Sequence, residues 1–276
     1  MVFDIIGAGK VGKTFGKYLS SKGHKINHVV NSSLDSSKKA VEFIGDGVPS
    51  SIDEIGGCDV LLIGVNDDRI RQIFLGVKDK ISGVKAVGHF SGAYPSSILR
   101  ECDEMEIGRF SIHPNASFAN PRIWEKLNEI HFVMDGNRKG KEIIRELFGS
   151  LGIRFSEIAE EKKIFYHVAA VFASNFVVGI QEISNELYSM AGLDSETARE
   201  ISIFLSKQAI ENVQSLGIKG ALTGPVVRGD RQLVEAERMT LMDLDPDIGI
   251  LYGKFAQILR ERVIKTEHSQ NSSDEG

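Results

Sequence analysis

Histidine is the side chain whose unperturbed pKa lets it exchange a proton near neutrality. Three of the seven histidines in this chain of 276 residues stand where such exchange would be useful. His113 lies in Arg109-Phe110-Ser111-Ile112-His113-Pro114-Asn115. A strand must stop there, because Pro114 favours extended geometry before it and withholds the next ladder donor. His113 at that strand end reads as a proton-transfer group with Asn115 beside it to orient a substrate; the alternative is a satisfied structural histidine. The second setting is His89-Phe90-Ser91-Gly92. A small Ser-Gly corner after an apolar strand lets a ligand approach closely, or it only ends the strand. The third is Lys163-Ile164-Phe165-Tyr166-His167. Lys163 and His167 are four apart and share a helix face, so both would project into one cleft. Together they would donate a proton or hydrogen bond to a carbonyl or imine; a surface lysine beside a half-buried histidine is the alternative. Asn175 lies farther along amid apolar neighbours, and a buried amide must be paired, as a clamp or a substrate contact. The glycine-punctuated run from Leu222 through Thr223 to Arg228-Gly229-Asp230 offers backbone amides and a guanidinium to a carboxylate, or it only connects two helices. Asp230 reads as the N-cap of the next helix.

These groups need a frame, and its clearest sign is Gly7-Ala8-Gly9-Lys10-Val11-Gly12. The glycines fall as G-x-G-x-x-G after an apolar run and at the start of a helical pattern. The first permits a tight turn, the second a close approach of backbone to a diphosphate, the third close helix–strand packing. The helix start adds free N–H groups and a positive dipole. The motif therefore predicts a dinucleotide site formed by Gly7, Ala8, Gly9, Lys10, Val11 and Gly12. An acid about 20 residues beyond the glycines would bind a ribose hydroxyl and select NAD. Here Asn31, Ser32 and Ser33 stand there, with Lys38 and Lys39 one turn on, so NADP is expected over NAD. Val65 and Asn66, where the apolar run of residues 59–65 ends, should line the same crevice, and His89 should approach the cofactor. Asp67 and Asp68 read as first-turn residues of a helix.

Apolar runs alternate with helical patterns up to residue 158, which argues an α/β fold with a parallel, doubly wound sheet. After that the pattern is helical only: residues 162–191 read as one long helix, 195–216 as a second, with more near 230–242 and 247–263. The expected domains are 1–158, dinucleotide-binding; 159–266, all-helical; and a polar, disordered tail at 267–276. The run 168–180 is broken by Ser174 and Asn175 and reads as a buried helix rather than a membrane span. The net charge of −5 carries no basic stripe, which argues against nucleic acid as a partner. Cys58 and Cys102 have neither metal-site nor disulfide spacing, so no metal is expected and a reducing compartment suits the chain. With no charged-then-apolar leader, the reading is cytoplasmic. The apolar helical half makes a homodimer the expected assembly.

Taken together, Gly7 to Gly12, His89 to Gly92, Ser111 to Pro114, Lys163 to Asn175 and Leu222 to Asp230 resemble a family that pairs a Rossmann-like domain with a helical domain of unknown function. That family looks related to the β-hydroxyacid dehydrogenase and pyrroline-5-carboxylate reductase superfamily. The resemblance implies an NADP-dependent oxidoreductase of a small carbonyl, imine or hydroxy acid. His113-Pro114 is similar to the His-Pro of prephenate dehydrogenases, whose histidine bonds the reacting oxygen, with Ser91 as the supporting hydroxyl. Pro114-Asn115 is similar to the Pro-Asn of pyrroline-5-carboxylate reductases, whose substrate loop falls at 222–230, although both threonines of their motif are missing here. Lys163-x-x-x-His167 is similar to the Lys-x-x-x-Asn of β-hydroxyacid dehydrogenases, where the lysine is the acid–base group, with histidine here in place of asparagine. His113 and Lys163 both remain candidates for the proton donor. The other readings are a non-catalytic NADP-binding sensor on the same fold, and a ketopantoate-type or deazaflavin-dependent reductase.

Overall fold

A computed structural model describes residues 1–264, so the tail read at 267–276 lies outside the described residues. The chain forms two compact units that divide between Phe176 and Val177. The first alternates β1 (Val2–Ile6), α1 (Lys10–Ser21), β2 (Lys25–Val30), α2 (Leu34–Ile44), β3 (Val48–Pro49), β4 (Val60–Ile63), α3 (Ile70–Val77) and β5 (Ala86–His89). A four-residue helix, α4 (Glu101–Glu104), precedes β6 (Gly108–Pro114); β7 (Phe132–Gly136), α5 (Arg138–Leu151), β8 (Phe155–Glu157) and α6 (Lys163–Ala173) follow.

The strands form one sheet in the order β3-β2-β1-β4-β5-β6-β7-β8. Every neighbouring pair from β3 to β6 is parallel, as expected for strands buried on both faces, and β4 is buried at every position. The β6–β7 pair is antiparallel, which departs from the purely parallel expectation. A parallel return needs a crossover back along the sheet. Between β6 and β7 the chain makes only a short 3₁₀ segment, Pro121–Glu129. One face of the sheet buries Phe3, Phe15, Phe110, Phe132 and Phe148; the other buries Ile6, Leu61, Phe74, Leu99 and Cys102. Cys58 and Cys102 are buried and unpaired.

The last strand ends near residue 158, yet the compact unit continues eighteen residues farther, past the expected domain boundary. Lys163 anchors the start of this extension. Its ammonium is fully buried at the sheet's end, where it donates to Asp135 Oδ2 at 2.7 Å and to the Ser111 hydroxyl. Asp135, equally buried, accepts the Ser96 amide at 2.6 Å on its other oxygen. This pair ties the start of α6 to β6 and β7.

The single helix expected over 162–191 is broken at Ser174, which has non-helical backbone angles and separates α6 from α7 (Asn175–Met190). In the second unit α8 (Ser195–Ala221) runs beyond the expected end and kinks at Gly217, whose φ of 74° suits glycine. It is followed by α9 (Pro225–Arg228), α10 (Arg231–Leu244) and α11 (Pro246–Ile258). Gln181 on α7 bridges to α8, donating to Ser206 at 2.6 Å and accepting from Ser202 at 2.8 Å.

The apolar run 168–180 is not buried within the chain, contrary to expectation. Phe172 and Phe176 stack edge to face at 4.8 Å yet are 58% and 47% exposed, and Val178 is 71% exposed. Periodicity identifies an apolar surface but not what covers it. The stretch Glu160–Met190 is long and apolar enough to cross a membrane by length and composition. Its first turn, however, is held in protein by Lys163.

A buried ion pair that loses one partner leaves an uncompensated charge. Lys163→Met is expected to lower the unfolding free energy of the first unit by about 3–5 kcal/mol. Adding Asp135→Asn should restore much of it. Urea unfolding followed by the first unit's signals checks both variants.

Candidate functional site

The strand order reverses about β1 and β4, and at such a switch point a crevice opens beyond the strands' carboxyl ends. Here it is a cleft of about 910 Å³ whose lining includes Gly7, Ala8, Gly9, Ser32, Val65 and Asn66. Gly7 has φ +85°, and a Cβ on it would sit 2.6 Å from the Gly64 carbonyl carbon and the Val65 amide. A Cβ on Gly12 would sit 2.6 Å from the Gly7 oxygen. These two glycines are required by close packing of the protein against itself. Gly9 is different: a Cβ there would meet nothing within 4 Å, so its surroundings are open to a ligand. No side chain caps α1 at Gly9, which leaves first-turn N–H groups, from Lys10 to Gly12, for a ligand. The donor set fits a diphosphate.

The residues after β2 divide their work. Asn31 Oδ1 accepts the Ala8 amide at 2.7 Å and its Nδ2 donates to the Ser36 carbonyl at 3.0 Å. One end of this amide holds the glycine turn and the other ties it to α2, while Asn31 itself lines the cleft. Ser33 caps α2, accepting the Ser36 amide at 3.2 Å. Ser32 is exposed and makes no hydrogen bond among the described residues. Lys38 lies outside the cleft lining; Lys39 is part of it and is paired with Asp35 at 2.8 Å. The helical step of about 100° turns Lys38 away from the face that carries Ser36 and Lys39. Arg69, which the sequence reading missed, lines the cleft and makes no ion pair among the described residues.

Beyond the cleft, β5 and β6 carry a second cluster. Asp67, just after the lining residue Asn66, accepts the Ser91 hydroxyl at 2.8 Å. That hydroxyl also accepts the amides of Ala93 and Tyr94 at 3.2 and 2.9 Å. It is therefore saturated, and Ser91 serves to shape its loop, not to support a reacting oxygen. The shaped loop presents Gly92. A Cβ there would fall 2.8 Å from His113 Nε2 and 2.9 Å from His167 Nδ1, so two imidazole nitrogens converge on bare backbone. His113 Nδ1 lies 2.6 Å from the Tyr166 hydroxyl, which donates to Asn115 Oδ1 at 2.7 Å. Asn115 Nδ2 donates to the His131 carbonyl at 2.9 Å. His167 Nδ1 is buried with no partner. Tyr166 is a site residue that the sequence signals only by its i, i+3 spacing from Lys163, beside His167 at i, i+4.

Several expectations change. Lys163 does not enter a cleft beside His167 but is buried in its ion pair. Burial lowers its pKa, and Asp135 opposes that. His89 is fully buried and cannot face a cofactor. Its Nδ1 accepts the Ser91 amide at 3.2 Å. Burial, then the charge of Lys163, holds its pKa down at about 3, and the Pro95 carbonyl offsets this only slightly. His113 is held down at about 4 by burial first, then by Lys163 and His167. Asn175 is exposed, not buried, and accepts from the neighbouring Ser174 hydroxyl at 2.9 Å. Thr223 and Arg228 belong to the second unit, both exposed; Arg228 Nε pairs with Asp230 at 3.0 Å. Asp230 stands at the N-cap position of α10 but gives its side chain to Arg228 instead of the helix amides.

His89 and His113 both refuse protons that they bind in the unfolded chain, whose ordinary value is 6.5. Their contribution to stability is full above that value and is lost as pH falls through it toward the folded values. Unfolding free energy should drop by about 2 kcal/mol for each between pH ~7 and ~5. Urea midpoints at the two pH values check this, and His113→Gln should remove its share of the slope.

The sequence profile of Rossmann-like domains matches residues 1–114, and that of a domain of unknown function, DUF2520, matches 130–258. No curated protein matches the chain by sequence. Among solved structures, a Thermotoga maritima protein is 30% identical, with a TM-score of 0.75 over 94% of this chain and 97% of that one. A Bacteroides fragilis protein provisionally named an NADP oxidoreductase is 21% identical, with a TM-score of 0.76 over 95% and 98%. The pyrroline carboxylate reductase of Plasmodium falciparum, solved with NADP bound, is 16% identical, with a TM-score of 0.61 over 94% and 98%. The last two likenesses concern the fold. Both profiles in order, and a relative of that identity over nearly its whole length, place the chain in the family that joins a Rossmann-like domain to a DUF2520 helical domain.

Proposed function

We propose that the chain is an NADP(H)-dependent oxidoreductase acting on a small hydroxy acid, carbonyl or imine. The observation that carries this reading is the open, uncapped turn at Gly9, linked through Asp67 and Ser91 to the paired imidazoles over Gly92. Gly9 and the first-turn amides of α1 would hold the diphosphate. Ser32 and Arg69 are the free donors for a 2′-phosphate. The one acid lining the cleft that is held locally, Glu54, is occupied by the Ser51 amide and hydroxyl at 2.6 and 2.8 Å. Such a coenzyme supplies the hydride acceptor or donor. The names of the Bacteroides and Plasmodium proteins support a nicotinamide coenzyme.

His113 handles the substrate proton in this reading and His167 orients the same group. Lys163 acts by holding α6 in place. A second copy of the chain is proposed to cover the exposed apolar helix face at Phe172, Phe176 and Val178. Two buried, unpaired cysteines suit a cytoplasmic protein.

Calorimetric titration should show NADPH binding that weakens by at least ~100-fold in Gly9→Glu, where a carboxylate enters the anion site. A screen of hydroxy, keto and imino acids should find turnover that falls by roughly 10²–10⁴-fold in His113→Ala. Absence of heat with either NADPH or NADH overturns the proposal. Binding without turnover of any acid assigns the chain to a sensor role instead.

A further inference from the structure

The hydrogen bonds around His113 leave only one arrangement of protons. Asn115 is the fixed end. Its backbone N–H and its Nδ2 both donate to the His131 carbonyl, at 3.0 and 2.9 Å. The reversed amide would set oxygen against oxygen, so Oδ1 faces Tyr166. A carboxamide oxygen only accepts, and the Tyr166 hydroxyl therefore spends its single proton on Asn115 at 2.7 Å. Toward His113 the same hydroxyl has only lone pairs. The 2.6 Å contact to Nδ1 is then an Nδ1–H donating to Tyr166. In a neutral imidazole the other nitrogen must be bare. Nε2 is that nitrogen, and it is the atom that overlooks Gly92.

We infer that Tyr166, fixed by Asn115, is a positioning residue that holds His113 as the Nδ1–H tautomer, so that Nε2 accepts a proton and the site takes a substrate whose reacting atom carries O–H or N–H. This deepens the oxidoreductase reading and rests on it for the reaction, while the tautomer itself stands on hydrogen bonds alone. With an alcohol substrate, the O–H proton passes to Nε2 and the O–H electron pair becomes the second C–O bond. An oxidised nicotinamide coenzyme, when bound, would supply the acceptor for the hydride from the same carbon and for its two electrons. Lys163 and His167, on the helix facing His113, disfavour the imidazolium. Tyr166 stays protonated, because burial pushes its pKa up to about 12. The resting imidazole is therefore neutral at neutral pH, with Nε2 bare toward Gly92.

The test uses the full chain labelled with ¹⁵N-histidine, read by long-range proton–nitrogen correlation and assigned with His113→Gln. The expected spectrum shows His113 with a protonated Nδ1 and a bare Nε2. Tyr166→Phe removes the acceptor and should shift the proton partly to Nε2. Asn115→Ala keeps the tyrosine but frees its proton for Nδ1, so the tautomer should invert to Nε2–H; loss of packing alone would not invert it. Where an alcohol substrate is found, each variant should lower kcat by roughly tenfold with KM little changed. A wild-type Nε2–H, or a tautomer unmoved in both variants, overturns the inference. The expected tautomer shifts with no turnover of any substrate would uphold the positioning role and overturn the oxidoreductase reading instead.

Discussion

The buried pair between Lys163 and Asp135 is the constraint on which the site's assembly rests. Both side chains are fully buried, and each has a second partner, Ser111 for the lysine and the Ser96 amide for the aspartate. Ser111 in turn donates to the Ser91 carbonyl at 3.1 Å. One charge pair thus joins the loop after β5, the middle of β6, the end of β7 and the first turn of α6. Removing two charges from water is costly, and the return depends on good geometry with every remaining donor and acceptor satisfied. Its use here is register. It fixes the first turn of the helix bearing Tyr166 and His167 against β6 and β7.

Burial is the larger cause that keeps the neighbouring imidazoles neutral, and the same lysine adds to it. A positive charge in a poorly solvated region opposes a second one nearby, and burial acts in the same direction. His89 and His113 are both held neutral well below the ordinary imidazole value. The residue that sequence resemblance offers as the acid–base group contributes instead through its field and its grip on the helix.

The glycine motif, the alternation of strand and helix and the placement of His113 were legible in the sequence, because each follows from local geometry. A turn after a strand needs Gly7, and a proline must end β6. What was not legible depended on direction. The spacing of Lys163 and His167 fixes a shared face but not which of them the sheet swallows, and Asp135, its partner, closes an apolar strand with no motif around it. Likewise the apolar run at 168–180 reads the same whether buried or exposed. Asn31 lines the crevice where the sequence places it, but its bond to the Ala8 amide was not legible, because a buried loop N–H needs a partner as much as a ligand does. Lys38 and Lys39 differed only in helical phase, which is lost when both are read as one basic patch.

Ser91 shows how the two halves of the site are coupled. A hydroxyl has one proton and two lone pairs. Ser91 commits the proton to Asp67 and the lone pairs to the amides of Ala93 and Tyr94. Nothing remains for a substrate, so its value lies in the loop it shapes. Asp67 begins the turn that follows the crevice residues Val65 and Asn66, whereas Gly92 lies against His113 and His167. Beyond the pairing of β4 with β5, this hydrogen bond links the wall of the crevice to the floor beneath the imidazoles. Gly92 must lack a side chain for that floor to come so close, and the hydroxyl must be saturated for the floor to hold still. The turn that follows the crevice and the loop beneath His113 and His167 are thus tied together through two side chains, Asp67 and Ser91, whose remaining bonds run to backbone amides.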